Sequence, residues 1–299
     1  MISKNNLSVI IVSFASDDVI SKCIDTIDSD LSILVIENSN NLELKKKLEK
    51  KYKNLKCILN SNNSGMGAGN NLGISKINTE FALILNPDVI LESNTINELI
   101  KVSKEINDFS ILAPIHSDKN YPNFKMFENI SDNHDLSFLE VMSVDGYAML
   151  LNLNKIKNVL DIEKNNFFDE NIFMYLENDD LCKRLIDKGE KIFIVKSSKI
   201  KHLGGKGVSQ VFSDQVELSR NWHWSWSRYY YKKKHYGFLN AFLTEAPKAL
   251  NSFIKFFFYS LVNHDKKKIY IFRLKGFMNA LLGKPSSYRP KIDLDILKN

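Results

Sequence analysis

The chain has 299 residues, enough for one large domain with an appendage or for two modest domains, and its 44% apolar and 25% charged residues are an ordinary globular balance. Its three cysteines (Cys23, Cys57, Cys182) are scattered without a CxxC pair, which argues against a disulfide framework or a zinc site and suits a reducing compartment. The net charge of +6 is unevenly spread: Arg220 to Asn299 carries 16 Lys and Arg against 4 Asp and Glu, a net of +12, leaving −6 for the first 219 residues. A basic tail on an acidic body suits an anionic partner, lipid or nucleic acid, or is simply a solvated basic surface.

The opening MISKNNLSVIIVSF has an apolar run of about seven residues with no small-residue cleavage site after it, so a signal peptide is rejected. No run approaches the roughly 18 apolar residues of a membrane span. Leu7 to Phe14 is a β-branched apolar run, as expected of a strand buried on both faces. Ser16-Asp17-Asp18 offers a helix cap, and Val19, Ile20, Cys23, Ile24 and Ile27 recur at helical spacing. Strands are expected at 31–36 and 55–59, with a Lys-rich amphipathic helix at 42–52 between them. Strands alternating with helices indicate βαβ units and a largely parallel sheet, whose ligands sit beyond the carboxyl ends of the strands.

The residues to watch are therefore those that follow strands. Ser13 and Glu37 are two of them. At 62–74 a Gly-rich loop, NNSGMGAGNNLGI, enters a helix. Its glycines either let backbone approach a phosphate or allow close helix packing, and Asn70-Asn71 is hard to explain by packing because Asn is a poor helix former. After a strand at 81–85 comes Asn86-Pro87-Asp88. Asp88, among apolar neighbours, either holds a divalent cation that bridges phosphates or caps the helix expected at 92–106. A strand at 110–115 precedes a long polar stretch, 116–140, and Asp145-Gly146 interrupts an apolar strand pair.

Phe168 to Gly205 then brings an apolar run to the acidic cluster Glu177, Asp179 and Asp180, followed by a helix with Arg184, a strand from Lys191 to Val195, and His202. Such carboxylates near a histidine can hold a metal or remove a proton; alternatively they mark an acidic helix start, with Asp180 paired to Arg184 at i,i+4. Arg220 to Tyr236 interleaves aromatics with cations, a mix that stacks nucleic-acid bases or packs a helical core. No RNA-binding signature accompanies it, and a nucleic-acid partner is not expected. Two helical segments follow between Phe238 and Leu282. Phe253 to Val262 is too short to span a bilayer and, with Lys266-Lys267-Lys268 beside it, suits an anionic membrane surface or a homodimer contact.

Taken together, VIIVSF (9–14), IENS (36–39), NNSGMGAGNNLGI (62–74), NPDV (86–89), VDGYAML (144–150), FDENIFMYLENDDLCKRL (168–185), HLGG (202–205) and RLKGFMNALLGKPSSYRP (273–290) resemble the inverting family 2 glycosyltransferases, in particular the rhamnosyltransferase-like branch. The resemblance implies a GT-A fold, α/β and Rossmann-like with a mostly parallel sheet flanked by helices, over residues 1–236, and a helical extension over 237–299. It implies transfer of a sugar from a nucleotide diphosphate (dTDP-rhamnose favoured, UDP-sugars close behind) to a hydroxyl of a glycan or lipid-linked glycan, with Mg²⁺ or Mn²⁺ assisting. By position, Ser13 and Glu37 are expected against the nucleoside, Gly65, Asn70 and Arg220 on the diphosphate side, and Phe14, Asn38 and Asn86 among the residues that bind the donor. Asp88 and His202 are expected to ligate the metal, and Asp145, Gly146, Tyr175, Trp222 and Trp224 to meet the substrates.

One departure stands out. The family usually reads Glu-Asp-x-Asp with the base at the second residue, whereas this chain reads Glu177-Asn178-Asp179-Asp180, and an amide cannot accept a proton at neutral pH. The base is then expected among Asp180, Asp179 and Glu177; the alternative is an impaired sugar-nucleotide-binding subunit. A cytoplasmic enzyme at the inner membrane face, building cell-surface polysaccharide or lipopolysaccharide, is the resulting expectation.

Overall fold

The computed structural model describes residues 1–106, 108–128, 136–163 and 166–290. They form two compact units, Met1–Asp169 with Asn178–Ser209, and Glu170–Glu177 with Gln210–Asn299.

The first unit is built on a mixed sheet. β1 (Leu7–Ser13), wholly buried, pairs in parallel with β2 (Ser32–Glu37) and β4 (Phe81–Leu85), and β3 (Leu55–Leu59) extends β2 in parallel. Beyond β4 the sheet turns mixed. β10 (Ala148–Asn152) runs antiparallel to β4 and to β6 (Ile111–His116). β11 (Ile192–His202) is parallel to β6 and antiparallel to β5 (Val89–Leu91) and β8 (Phe138–Glu140). The strand order is β3-β2-β1-β4-β10-β6-β11-β5.

Alternation along each strand feeds two cores. Val9, Ile11, Val35, Leu83 and Leu150 lie on one face, and Ile10, Ile84, Met149 and Leu151 on the other. With both faces covered, the strands read as continuous apolar runs, which is why they are visible in the sequence.

Helix α2 (Leu42–Lys51) follows β2, α3 (Met66–Ile74) follows β3 and α4 (Thr95–Ile106) follows β5, much as the sequence pattern predicts. Three details differ. The helix expected after Ser16 is only α1, Ile20–Ile24, because the Ser16 hydroxyl accepts from Phe14 N and donates to the Gly207 carbonyl (2.6 Å) instead of capping. The helix expected from residue 92 opens at Thr95, since 89–91 pair as β5. The strand ending at Val195 runs on to His202 through an irregularity between Val195 and Lys199.

In α3 the glycines serve close approach to β1. A Cβ at Gly73 would stand 2.5 Å from Ile10 Cγ2, and one at Gly69 2.8 Å from Val12 Cγ1.

The second unit is helical. α7 (Ser213–Leu261) bends at Gly237, whose φ of 83° suits glycine, and α8 (Lys266–Leu281) packs on it. Contact is close enough that a Cβ at Gly276 would lie 2.1 Å from the Trp222 carbonyl oxygen. Trp222, Trp226, Tyr229 and Phe277 form the core here. Among the described residues, no helix is long and apolar enough to cross a membrane.

Candidate active site

Because β1, β2 and β4 are parallel and β10 is antiparallel to β4, the residues after the first three strands and those just before β10 meet at one edge. The Asn86 N–H donates to the Tyr147 carbonyl (2.9 Å), locking the turn after β4 to residues 145–147.

Asp88, buried, stands at this edge. The antiparallel register of β5 and β11 pairs Val89 with His202, and so brings His202 Nε2 to 3.3 Å from Asp88 Oδ1. Tyr147 stacks on the imidazole with ring centroids 4.1 Å apart, and the His202 N–H donates to His116 Nε2 (3.2 Å). Gly207 faces the carboxylate, where a Cβ would sit 3.4 Å from Asp88 Oδ1. One carboxylate oxygen and one imidazole nitrogen this close are a fitting partial ligand set for Mg²⁺ or Mn²⁺, with a diphosphate completing it. Among the described residues no group of three or more such side chains exists, so phosphate oxygens would have to supply the rest.

Three further predicted positions carry unmet polar capacity. Ser13 Oγ, Asn70 Oδ1 and Asn86 Oδ1 are buried and make no hydrogen bond. Buried polar atoms are nearly always paired, so this set at the carboxyl edge marks a place for a polar ligand. Asn38 is committed locally, its amide donating to the Gly65 carbonyl (3.1 Å), and Gly65 caps α3 with φ 89°. Asn71 is explained by structure: its side chain donates to Phe168 O and accepts from Phe168 N, both at 2.9 Å.

Glu37 is more occupied than expected. Its oxygens accept from Ser39 N, Ser39 Oγ (2.6 Å) and Asn41 N (2.6 Å), and burial pushes its pKa up against those bonds. Phe14 precedes Ala15, a non-glycine residue with φ 48°, a strained turn of the kind found at ligand sites.

α6 (Glu177–Ile186) carries the acidic cluster, and here a correction is needed. Asp180 is wholly buried, its Oδ2 accepting from Arg184 Nε at 2.9 Å, while Arg184 also donates to the Phe167 carbonyl. Asp180 holds α6 to its neighbourhood and has no open face for an acceptor hydroxyl. Asp179 pairs with Lys125 Nζ at 2.5 Å. Asn178 is structural as well, its amide donating to the Val144 carbonyl (2.8 Å), with Gly146 so close that a Cβ there would meet Asn178 Cβ at 3.1 Å.

Asp145 lines an open cleft of about 870 Å³ with His116, Tyr121, Tyr147 and His202. Burial raises its pKa above the usual carboxylate range, and the Asp179 charge adds to this. Tyr147, His116 and Lys125 were not singled out in the sequence. Only the position of Tyr147, one residue past the Asp145-Gly146 pair, could have marked it.

In the helical unit Tyr175 and Leu176 both have positive φ (68° and 69°), an uncommon pair just before α6. Tyr175 meets Trp224 edge-on at 5.2 Å, and Arg228 lies over the Trp224 ring at 5.7 Å. Burial raises the Tyr175 phenol, opposed by the charge of Arg220. Trp224 is 39% exposed, but Trp222 is 4% exposed and packed in the core. A substrate-facing role for Trp222 is corrected accordingly: the indole is spent on folding.

Comparisons with known proteins give the family and the fold. A model described as glycosyl transferase family 2 matches residues 8–174. The chain is 25% identical over 199 residues to the low-salt glycan biosynthesis hexosyltransferase Agl10 of Haloferax volcanii, covering 60% of this chain and 61% of that protein. It is 26% identical over 243 residues to the rhamnosyltransferase WbbL of Escherichia coli, covering 72% of this chain and 88% of that one. The chain thus spans less than two thirds of the first relative's length.

Among solved structures, the mannosyltransferase PcManGT from Pyrobaculum calidifontis, in complex with GDP-Man and Mn²⁺, matches with a TM-score of 0.56 at 9% identity, covering 93% of this chain and 88% of that one. GalNAc-T7 with UDP, GalNAc and Mn²⁺ matches with a TM-score of 0.54 at 14% identity, covering 81% and 54%. These likenesses show a GT-A fold. With the family model spanning more than half of its length, the chain belongs to glycosyl transferase family 2.

Proposed function

We propose that the protein moves a hexose, rhamnose favoured, from a nucleotide diphosphate sugar to a hydroxyl of a glycan or lipid-linked glycan, inverting the anomeric carbon, in cell-surface polysaccharide or lipopolysaccharide assembly. The observation that carries this reading is the Asp88–His202 pair, at 3.3 Å, on a sheet edge with three buried polar atoms that lack partners. The names of the two curated relatives, a hexosyltransferase and a rhamnosyltransferase, support the sugar class. Ser13 and Asn70 face the donor, and Asp88 and His202 hold Mg²⁺ or Mn²⁺. When bound, the cation supplies charge stabilisation to the leaving diphosphate. Asp88 orients it as a hard oxygen ligand, and the Tyr147 stack keeps the His202 ring in register.

In this reading the enzyme works at an anionic membrane surface, and the outer face of α7 supports it. Phe253, Ile254, Phe257 and Phe258 are each more than half exposed, and Lys266–Lys268 follow. Two copies meeting through this face would oppose tails of net +12 each, whereas an anionic bilayer attracts them.

Calorimetric titration with UDP, dTDP, GDP and ADP, with and without Mn²⁺, tests the donor reading. One diphosphate binding in a metal-dependent way is expected, with that dependence lost in Asp88→Ala. No binding by any of them, or unchanged binding in Asp88→Ala, refutes it. Asn178 favours a second reading, a sugar-nucleotide binder without transferase activity; tight binding with no turnover on any acceptor would select it.

A further inference from the structure

We infer that Asp145 is the catalytic base that takes the acceptor's proton. This rests on the transferase reading above and goes beyond it by assigning the group that reading leaves open.

Transfer to a hydroxyl needs a carboxylate with a free lone pair, because the hydroxyl is a weak nucleophile. At this edge of the sheet the carboxylates differ in how far they are already committed. Asp180 is wholly buried against Arg184. Asp179 is held by Lys125 at 2.5 Å. Glu37 is filled by Ser39 and Asn41. Asp118, on the cleft wall, accepts from the backbone and side-chain nitrogens of Asn120 at 2.9 and 3.0 Å. Asp88 lies against His202. Asp145 alone among these has a carboxylate that no described side chain or backbone group engages, and it opens into the cleft.

Its backbone is fixed while its side chain is not. The Asp145 N–H donates to the Asn123 carbonyl at 2.9 Å, and Asn178 holds the preceding carbonyl at 2.8 Å. The Asn86–Tyr147 bond sets this segment beside the turn that carries Asp88. A base held by a rigid backbone next to the diphosphate site is preorganised for the reaction. It also explains how a chain with an amide at residue 178 keeps its chemistry: Asn178 acts on the carbonyl before Asp145, and so positions the base from behind.

In the step, the acceptor oxygen forms its bond to the anomeric carbon as its proton passes to the Asp145 carboxylate. The anomeric carbon–oxygen bond to phosphate breaks, and its electron pair leaves with the nucleoside diphosphate.

The test uses the full chain as wild type, Asp145→Asn and Asp179→Asn, with dTDP-rhamnose and UDP-glucose as donors and methyl hexosides as acceptors. Turnover is read as nucleoside diphosphate release, and affinity by calorimetry with the free diphosphates. Asp145→Asn is expected to lose at least about 100-fold in kcat, with the KM for donor and the diphosphate affinity within about twofold of wild type. Turnover in Asp145→Asn within about threefold of wild type overturns the assignment, as does a fall in diphosphate affinity that matches the fall in turnover, since Asp145 would then hold the donor. A large loss confined to Asp179→Asn moves the base there and also overturns it. If wild-type protein binds no diphosphate at all, the transferase reading fails instead, and that result is distinct from every outcome with the variants.

Discussion

The sheet unit and the part of α7 beyond Gly237 bury opposite kinds of residue. In the sheet unit the large aliphatics of β1, β2, β4 and β10 are inside and polar groups gather at one edge. Along α7 beyond Gly237 the arrangement is reversed: Ala241, Glu245, Ala249 and Ser252 face inward, while Leu239, Leu243, Leu250 and Phe257 face out. Glu245 is buried only because Arg228, Lys232 (2.8 Å) and Lys248 (3.0 Å) surround it. The sheet unit satisfies its own apolar surface; the helical unit leaves a stripe that a bilayer would cover. The aromatic core of the helical unit thus gives way, beyond Gly237, to small residues within and large apolar ones without.

The sharpest way to probe this contrast is at two glycines. Gly276→Ala drives a methyl into the Trp222 backbone carbonyl at 2.1 Å, and backbone cannot rotate away. Gly73→Ala meets only the Ile10 side chain at 2.5 Å, and alanine's better helix propensity offsets part of the clash. Overpacking costs about 1–3 kcal/mol and sometimes more, so Gly276→Ala is expected to lose about 3 kcal/mol or more and Gly73→Ala about 1. All three tryptophans lie in the helical unit, so urea unfolding followed by their fluorescence reports that unit, with far-UV circular dichroism for the whole chain. Equal costs at the two positions would break the comparison.

A smaller effect comes from His223. It is stacked on Phe173 at 4.4 Å and hydrogen-bonded to Ser286 Oγ and to the Tyr288 carbonyl, both at 2.8 Å. Burial lowers its pKa from 6.5 to about 3. The unfolded chain therefore binds a proton that the folded one refuses. The stability this gives is complete above pH 6.5 and drains away as pH falls toward 3. By pH 4.5 about 2–3 kcal/mol is expected to be lost, and His223→Gln should flatten that slope. An unchanged slope in the variant would show that other groups carry it.

The smallest effect concerns the outward stripe. Phe253→Glu with Phe257→Glu, both exposed, should leave unfolding unaltered yet weaken binding to phosphatidylglycerol vesicles by about tenfold or more. A shift from dimer to monomer, with vesicle binding intact, would reassign the stripe to a second copy of the chain.

Much of this molecule is legible before any coordinates. The buried strands at Leu7–Ser13 and Phe81–Leu85 fall where the apolar runs place them, because strands covered on both faces need nothing but side chains of their own, and the partly exposed end strand Leu55–Leu59 also falls where it is expected. The polar residues at the ends of two of those strands, Ser13 closing β1 and Asp88 just past β4, are likewise visible in the sequence. What escaped was contact at a distance. Trp222 and Trp224 look alike in the chain, and only the packing of α8 decides that the first is core and the second half-exposed. Asp180 and Asp145 are both plausible carboxylates, and only the reach of Arg184 decides which is already paired.

The sequence by itself determined the alternation of strand and helix and the two-faced sheet, since these follow from periodicity and turn chemistry acting over a few residues, and the order of its motifs carried the resemblance to the family. The tertiary structure alone decided that Asp88 meets His202, through the register of β5 on β11, and that Asp145 stands uncommitted beside them. Register is set by the summed packing of both faces of the sheet, a property that no local stretch of residues contains.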